Sequence, residues 1–427
     1  MQFVSTRGQA APAGLSAAIA AGLAPDGGLY VPESLPALSP ADFRGRETLP
    51  DIAAALLRPF FEGDALAGEL DAICAQAFDF PAPLRRLDDG TGLLELFHGP
   101  TAAFKDFGAR FLAACLSRLR AGAQHPLTIV VATSGDTGAA VGGAFHGLAG
   151  VRVVILYPDG RVSPRQAHQL GAFGDNVRAL RVAGSFDDCQ ALVKRALNDG
   201  ELQARVPLSS ANSISLGRLL PQMSYYASTA LEHWRESGES LNFAIPTGNL
   251  GNALACILAR RIGLPIGEVL LATNANDVLP QFFDGGAYEP RPSVATLANA
   301  MDVGAPSNFE RLRWLVPDED ALRAGFRSIS VGDAVIRDTL REVWTRHGVA
   351  LCPHTATAIH ALDSLAPDGS WAVAATAHPA KFETIVEPLI GHTVAPPQAL
   401  AALLARPAHA DPMPADYAAL RAQLEHG

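Results

Sequence analysis

The chain has 427 residues, of which 48% are apolar and 18% are charged, a composition typical of a globular protein with two or three domains. The formal charge of −10 argues against nucleic acid as a main partner, because such a partner requires a basic face. Five scattered cysteines without a CxxC pair and 12 histidines without close ligand spacing indicate a cytoplasmic protein with reduced thiols and no metal site.

Two uncharged stretches raise the question of targeting or membrane insertion. In residues 8–25, Leu15, Ile19 and Leu23 recur every four positions, which predicts one buried face of a short helix and not a signal peptide. Residues 240–259 contain three asparagines and a proline, and amides without partners are costly in lipid. We therefore predict no membrane partner.

Short apolar runs with helical patterns between them predict the core of the fold. The predicted strands are residues 127–132, 151–156, 241–245, 269–273 and 371–376. Each run is continuously apolar, as in strands covered on both faces, and helices are predicted over 106–120 and 251–262. The alternation predicts an α/β protein with two mostly parallel sheets and a cleft between them.

The first candidate site is HGPTAAFKDFGARF, residues 98–111, in which Lys105 stands between two phenylalanines. Such surroundings remove water from the amine and lower its pKa, as a Schiff-base or general-base lysine requires. Only three of the 33 basic residues are lysines, Lys105, Lys194 and Lys381, and arginine cannot form an imine. Lys105 has the most enclosed sequence surroundings of the three. The alternative is a surface lysine on an amphipathic helix.

Two further segments lead from a predicted strand into a helix. In ATSGDTG, residues 132–138, the hydroxyls and the backbone N–H groups of the helix start could bind a carboxylate or a phosphate. The alternative is an ordinary turn capped by Ser134 or Asp136. In IPTGNLGN, residues 245–252, two glycines let amides converge on a phosphate, although a simple tight turn explains them equally well. This segment matches neither the dinucleotide fingerprint nor the Walker sequence.

A fourth segment is TAHPAKF, residues 376–382, at the end of the last predicted strand. Thr376 closes that strand and is expected to point its hydroxyl into the cleft. His378 is expected to order the turn and not to catalyse a reaction.

Taken in order, these segments strongly resemble the threonine synthase family, which comprises pyridoxal-phosphate enzymes of the tryptophan-synthase-β-like fold (fold type II). The likeness covers nearly the whole chain, from STRG at 5–8 and APDGGLYVP at 24–32 to NAMDVGAPSN at 299–308. It is closest to the longer microbial and fungal branch, which has an extended N-terminal portion.

The resemblance implies two open, mostly parallel α/β domains with a cofactor cleft between them and an N-terminal extension. We expect residues 1–95 to pack on the large domain and residues 96–125 to carry the cofactor lysine within that domain. A smaller mobile α/β domain is expected at 126–205, and the rest of the large domain, with the phosphate loop, at 206–427. The assembly is expected to be a monomer or a homodimer.

The resemblance also implies roles for individual residues, with Lys105 as the catalytic lysine that forms an imine with pyridoxal 5'-phosphate. The implied cofactor contacts are Lys105, Gly248, Asn249, Leu250, Gly251 and Asn252, the last five holding the phosphate, and Thr376 at the pyridine nitrogen. The implied substrate contacts are Ser134, Gly135, Asp136, Thr137 and Gly138 at the carboxylate, and Asn212, Ser213 and Arg218 at the phosphate. Arg7, Arg110 and Arg165 are alternative phosphate contacts.

The glycine loop departs from a common family form, Ser-Gly-Asn-Phe-Gly-Asp, at Thr247, Leu250 and Asn252. Backbone donors survive these changes, so we expect phosphate affinity to be kept.

The implied reaction converts O-phospho-L-homoserine and water into L-threonine and phosphate by γ-elimination and β-addition of water, a lyase reaction of threonine biosynthesis. The nearest alternative is a serine or threonine dehydratase of the same fold. A second alternative is a non-catalytic relative that binds a phosphorylated ligand, although such a protein has no need for an imine-forming lysine. A nicotinamide-dependent enzyme is a third, but the chain lacks its fingerprint.

Overall fold

The computed structural model describes residues 1–365 and 368–426. The strands are β1 (Phe3–Ser5), β2 (Tyr30–Pro32), β3 (Leu84–Arg86), β4 (Thr91–Glu95), β5 (Leu127–Ala132), β6 (Val151–Pro158), β7 (Val177–Ala183), β8 (Leu208–Ser209), β9 (Leu241–Pro246), β10 (Ile266–Thr273), β11 (Arg327–Ser330), β12 (Trp371–Ala375) and β13 (Asp411–Pro414).

The helices lie between these strands and on both sides of the sheets that the strands form. They are α1 (Leu15–Ala21), α2 (Leu49–Leu57), α3 (Leu70–Ala77), α4 (Lys105–Leu119), α5 (Asp136–Phe145), α6 (Pro164–Gly171), α7 (Phe186–Leu197), α8 (Gly200–Arg205), α9 (Leu216–Leu219), α10 (Met223–Ser237), α11 (Gly251–Arg261), α12 (Val278–Phe283), α13 (Phe309–Leu315), α14 (Glu319–Ala324), α15 (Asp333–His347), α16 (Pro353–Leu365), α17 (Glu383–Ile390), α18 (Gln398–Leu404) and α19 (Tyr417–His426). No helix in the described ranges is long and apolar enough to cross a membrane.

The larger sheet has six strands in the order β11-β10-β9-β12-β4-β3. All neighbouring pairs are parallel except β3 with β4, which is antiparallel. The central strand β12 is buried along its whole length, as its uninterrupted apolar run predicts, since helices cover both faces of a parallel sheet. The carboxyl ends of β9, β12 and β4 therefore lie side by side at one edge.

The smaller sheet has five parallel strands in the order β13-β7-β6-β5-β8. Two of these strands, β8 and β13, lie outside the boundaries 126–205 that we expected for the smaller domain, so those boundaries are too narrow. Both are edge strands, and β8 has only two residues while β13 reads DPMP. Such short or proline-bearing edges carry no strand pattern, and they become strands only because a neighbouring strand offers free backbone groups.

The N-terminal portion packs on the helices of the larger sheet. Strands β1 and β2 form an antiparallel pair, and Phe61 and Phe78 place their rings 6.2 and 6.0 Å from the ring of Phe111 on α4. These residues belong to a continuous hydrophobic core that also includes α10 and α11. The last strand of the expected N-terminal segment, β4, is part of the larger sheet itself.

The predicted strands and helices match the structure closely in their central residues. β5 has the predicted bounds, whereas β12 ends at Ala375, one residue before Thr376. There the carbonyl of Thr376 accepts a hydrogen bond from the N–H of Phe104 (2.8 Å), and the chain leaves the sheet. Helix α4 begins at Lys105 itself, one residue earlier than predicted.

Candidate active site

Three of the four candidate segments lie at the carboxyl edge of the larger sheet. The glycine loop follows β9, Thr376 follows β12, and Lys105 follows β4, and these strands are neighbours in the order β9-β12-β4. Adjacent strands are about 4.8 Å apart, so the ends of β9 and β4 lie roughly 10 Å apart. The N–H of Phe104 donates to the carbonyl of Thr376 (2.8 Å), which holds the start of α4, and with it Lys105, beside the end of β12. Ligands of open α/β sheets bind at this edge.

The glycine loop presents an uninterrupted row of free donors. None of the backbone N–H groups from Gly248 to Asn252 donates to an acceptor in the described part of the chain, and these groups lead into the N-terminus of α11. A Cβ on Gly248 would lie 2.7 Å from the Cα of Met301, so this position has no space for a side chain. Leu250 adopts a left-handed conformation with φ of 60°. The loop is thus shaped to bring amides onto an anion.

Two buried side chains at this loop have atoms that find no hydrogen-bond partner among the described residues, namely Thr247 Oγ1 and Asn252 Nδ2. The Asn252 Oδ1 accepts hydrogen bonds from the hydroxyls of Tyr225 (2.6 Å) and Tyr226 (2.7 Å). An aspartate could accept the same two bonds. The side chain at this position therefore pairs with buried tyrosines, and the backbone N–H remains free for a ligand.

The loop is held from outside by a buried arginine that our sequence analysis missed. Arg311 is only 1% exposed and donates to the carbonyls of Tyr30 (3.0 Å) and Ile214 (2.6 Å) and to Oδ1 of Asn308 (2.8 Å). Asn308 in turn donates from Nδ2 to the carbonyl of Asn249 (3.0 Å). Burial lowers the pKa of Arg311 to about 9. The only sequence signal was that Asn308 closes the NAMDVGAPSN segment.

Lys105 is enclosed, as its aromatic neighbours predicted. Its side chain is 13% exposed, and Nζ lies 4.7 Å from the centre of the Phe104 ring and 4.0 Å from Oδ2 of Asp136. Burial lowers the pKa of Lys105 to about 8, against the opposing effect of the Asp136 charge. About a tenth of the amine is therefore uncharged at pH 7, against far less for an ordinary lysine. The following residue, Asp106, is buried too, so this is not the surface helix of the alternative interpretation.

The expectation that Lys105 is the most enclosed lysine was wrong, because Lys381 is only 1% exposed. Lys381 lies in a 3-10 turn, Pro379–Phe382, and its Nζ reaches Oδ1 of Asp136 at 2.7 Å. The charges of the two lysines outweigh the effect of burial and hold the pKa of Asp136 below its usual value. The residues next to Lys381 in the sequence could not reveal its burial, because its partner Asp136 follows a strand of the smaller sheet.

The start of α5 carries the fourth segment, at the carboxyl end of β5 in the smaller sheet. Its N-cap is Gly135, with φ of 130° and no side-chain cap, so neither Ser134 nor Asp136 caps the helix. Instead Oγ1 of Thr133, one residue before the predicted contacts, accepts from the N–H groups of Gly135 (2.9 Å) and Gly138 (2.8 Å). Within this turn, the N–H groups of Ser134, Asp136 and Thr137 donate to no acceptor in residues 1–365 and 368–426.

The proposed phosphate contacts of the substrate do not form one open cluster. The Ser213 hydroxyl accepts from Asn249 Nδ2 (2.7 Å), which places Ser213 beside the glycine loop, and Asn212 lies next to it in the chain. Arg218 is 2% exposed, donates to the carbonyl of Ala211, and has its pKa lowered to about 10 by burial. Its Nε has no hydrogen-bond partner among the described residues.

The three alternative arginines are occupied by protein groups. Arg7 and Arg165 donate to backbone carbonyls at 3.1 and 2.7 Å, and Arg110 forms a 2.7 Å ion pair with Asp79.

Comparisons with known proteins agree with this geometry. The family model described as "Pyridoxal-phosphate dependent enzyme" matches residues 80–376, flanked by matches to "Threonine synthase N terminus" at 2–78 and "Threonine synthase, C-terminal" at 355–424. Threonine synthase of Haemophilus influenzae is 40% identical over 410 residues, covering 96% of both chains. The chain belongs to the threonine synthase family. Threonine synthase activity with pyridoxal phosphate as cofactor follows from this membership.

Solved structures of the family share the whole fold. The crystal structure of threonine synthase from Escherichia coli has a TM-score of 0.93 and 38% identity over 99% of both chains. The threonine synthase from Brucella melitensis, solved with pyridoxal phosphate bound, has a TM-score of 0.91 and 36% identity over 100% of this chain and 99% of that one. The fold type II prediction is therefore confirmed, as is the family hypothesis over the dehydratase alternative.

The residues present fit the cofactor of the family. Free amides from Gly248 to Asn252 could hold a phosphate, as could the orphaned hydroxyl of Thr247. Lys105 offers a buried amine at the same sheet edge. Thr376 follows β12, the strand that lies between β9, which leads to the glycine loop, and β4, which leads to Lys105.

Proposed function

We propose that this chain acts on O-phospho-L-homoserine, which it converts with water into L-threonine and phosphate. The observation that carries the proposal is the position of Lys105: a buried amine with a pKa of about 8 at a sheet edge that also carries the row of free amides. A second set of free amides begins α5, and Asp136 of that helix lies 4.0 Å from the Lys105 amine. Two sets of free N–H groups, one on each side of the Lys105 amine, suit the cofactor phosphate and the substrate carboxylate.

The roles of individual residues follow from this placement. Gly248 to Asn252 would hold the cofactor phosphate, and Ser134, Asp136 and Thr137 would bind the substrate carboxylate through backbone N–H groups. Ser213, with Asn212 beside it, would contact the substrate phosphate. Arg218 would join them only through its free Nε.

When bound, pyridoxal phosphate supplies an electron sink that stabilises negative charge on the substrate carbon next to nitrogen. Lys105 Nζ, as an uncharged amine, would take the proton from Cα, give that proton up, and then take a proton from Cβ, since one amine carries only one extra proton at a time. The phosphate leaves Cγ with the electrons of the C–O bond. Water then supplies the hydroxyl at Cβ, and its remaining proton goes to the departing phosphate. The two protons removed from Cα and Cβ are matched by one delivered to Cγ and one to Cα, so that one molecule of phosphate is released for each threonine.

The decisive experiment mixes the purified, cofactor-loaded chain with O-phospho-L-homoserine and measures phosphate and threonine together. We expect equal amounts of the two products, and loss of both in Lys105→Ala. The matched control is Lys194→Ala, since Lys194 is exposed near the end of α7. Release of ammonia and a keto acid in place of threonine would refute the proposal and support a dehydratase.

We also propose that the smaller domain closes over bound substrate. Contacts that such a motion would adjust already cross the cleft: Asn299 Nδ2 donates to the carbonyl of Ser134 (3.3 Å), and the Ser163 hydroxyl donates to the carbonyl of Lys381 (2.6 Å). Closure would exclude competing water while one molecule is admitted. Small-angle scattering with and without a substrate analogue tests it, and identical curves would argue against closure.

A cytoplasmic location and a monomeric or homodimeric state complete the proposal. The location is supported by the five cysteines, all buried and free, as is usual in a reducing compartment. Sedimentation analysis at several protein concentrations tests the assembly, and a larger oligomer would contradict it.

A further inference from the structure

A second lysine reaches the carboxylate that lies beside the proposed cofactor lysine. Lys381 Nζ is 2.7 Å from Oδ1 of Asp136 and donates to the carbonyl of Thr101 at 2.9 Å. Gln166 Nε2 also donates to Oδ1 of Asp136 (3.0 Å). The side chains of Lys381 and Asp136 are 1% and 3% exposed, so water screens this contact very little.

The two ammonium groups near Asp136 are held differently. Lys381 makes a direct, charge-assisted hydrogen bond to the carboxylate. Lys105 lies 4.0 Å from Oδ2 and donates no hydrogen bond to any residue that the structure describes. Lys105 therefore lacks a hydrogen bond of this kind, and burial lowers its pKa.

We propose that Lys381 is a positioning residue for the reaction, whose fixed positive charge neutralises Asp136 and thereby leaves Lys105 as an uncharged amine able to bond to the cofactor. The inference rests on the proposed role of Lys105. Lys381 itself touches neither cofactor nor substrate in this account and acts only through Asp136.

The groups that face Lys105 from each neighbouring element agree with this role. Burial lowers the pKa of Lys105, Asp136 on α5 raises it, and the charges of Lys381 and of Arg218 on α9 lower it further, while Cys352 raises it slightly. His354 on α16 adds no charge at neutral pH, because burial lowers its pKa to about 4. Removal of the Lys381 charge would leave Asp136 paired with Lys105 alone.

Because the chain has only three lysines, the protonation state of each can be followed separately. We would label the ε-carbons of lysine with 13C in the full-length chain freed of cofactor, which gives three NMR signals, and titrate each with pH. In the wild type, the Lys105 signal must report the loss of its proton within the titration, since burial lowers its pKa. In Lys381→Gln, which keeps an amide donor for Thr101 and Asp136, we expect Lys105 to titrate about one pH unit higher, a roughly tenfold smaller amine fraction at pH 7.

The same variants are then tested for cofactor attachment. The rate at which pyridoxal phosphate joins the cofactor-free chain, followed by visible absorbance at pH 7, should fall about tenfold in Lys381→Gln, in step with the amine fraction. Lys381→Arg keeps the charge and should restore the wild-type pH profile, and Lys194→Gln should not change it. A profile for Lys381→Gln that coincides with the wild type, or an equal shift in Lys381→Arg, overturns the inference.

Failure of the proposed function would look different. Borohydride reduction of the loaded chain fixes the cofactor on its lysine, and peptide mass analysis identifies that lysine. Cofactor on a residue other than Lys105 removes the role assigned to Lys105 and the inference with it, whereas cofactor on Lys105 with unchanged pH profiles refutes the inference alone.

Discussion

Gly248 offers the sharpest test of the glycine loop, because its environment allows no side chain. The Cβ of an alanine at this position would lie 2.7 Å from the Cα and 3.1 Å from the carbonyl carbon and oxygen of Met301. These are backbone atoms, which cannot turn aside as the end of a flexible side chain can. Gly248→Ala therefore forces the loop or the segment around Met301 to move.

The size of the effect follows from the cost of overpacking. Backbone shifts of this kind cost about 1–3 kcal/mol, and the amides from Gly248 to Asn252 would lose their common direction. If that cost falls on the loaded state, pyridoxal phosphate binds roughly 5- to 150-fold more weakly. Gly251→Ala is the matched control, because its Cβ would meet Asn308 Nδ2 at 3.4 Å and Ser213 Cβ at 3.6 Å, which are ordinary contacts.

The assay is a spectroscopic titration of the cofactor-free chain with pyridoxal phosphate, accompanied by urea unfolding of the same samples. We expect weaker binding in Gly248→Ala, with Gly251→Ala within about threefold of the wild type. Both variants replace glycine by alanine, so changes in the unfolded state largely cancel. Equal affinity of Gly248→Ala and wild type, with unchanged stability, would refute the packing argument for the loop.

Three further substitutions test other parts of the site. Thr133→Val removes the acceptor shared by the N–H groups of Gly135 and Gly138. We expect the KM for O-phospho-L-homoserine to rise about tenfold with little change in kcat. An unchanged KM would argue against binding of the substrate carboxylate at the start of α5. Arg311→Met leaves two buried acceptors and one half-buried acceptor without the guanidinium, and urea unfolding should show a loss of about 3 kcal/mol, whereas a loss below about 1 kcal/mol would mean that water replaces the guanidinium. Thr376→Asp replaces the hydroxyl proposed to face the pyridine nitrogen by a carboxylate and should change the ratio of threonine to keto acid, since a more fully protonated ring is a stronger sink; an unchanged ratio contradicts that role.

Much of the fold could be predicted from the sequence because its signals are local. The buried strands β5, β6, β9, β10 and β12 appear as continuous apolar runs, and each candidate segment is a strand end followed by a helix start. Lys105 was identifiable because its phenylalanine neighbours are also neighbours in the chain. By contrast, β8 and β13 carry no strand pattern, and they were assigned to the wrong domain.

The position of the site at one sheet edge was also predictable in outline, since parallel strands share a carboxyl edge. Its side-chain partners were not. Thr133 lies within the segment 132–138 but was given no role, because only the turn at Gly135, with φ of 130°, brings two N–H groups onto its hydroxyl. The side chain of Asn252 bonds to two tyrosines of α10, contacts with a separate element that no local pattern indicates, and its backbone N–H keeps the proposed phosphate contact.

The sequence by itself determined the α/β class, the glycine loop and the lysine, because each depends on residues within one strand–turn–helix unit. Only the tertiary structure decided which charged groups and hydrogen bonds surround these features. Lys381 meets the carbonyl of Thr101 across 280 residues, and Arg311 meets that of Tyr30 across 281. Contacts between such distant segments arise from the packing of two sheets and the N-terminal portion, and no local pattern of side chains records them.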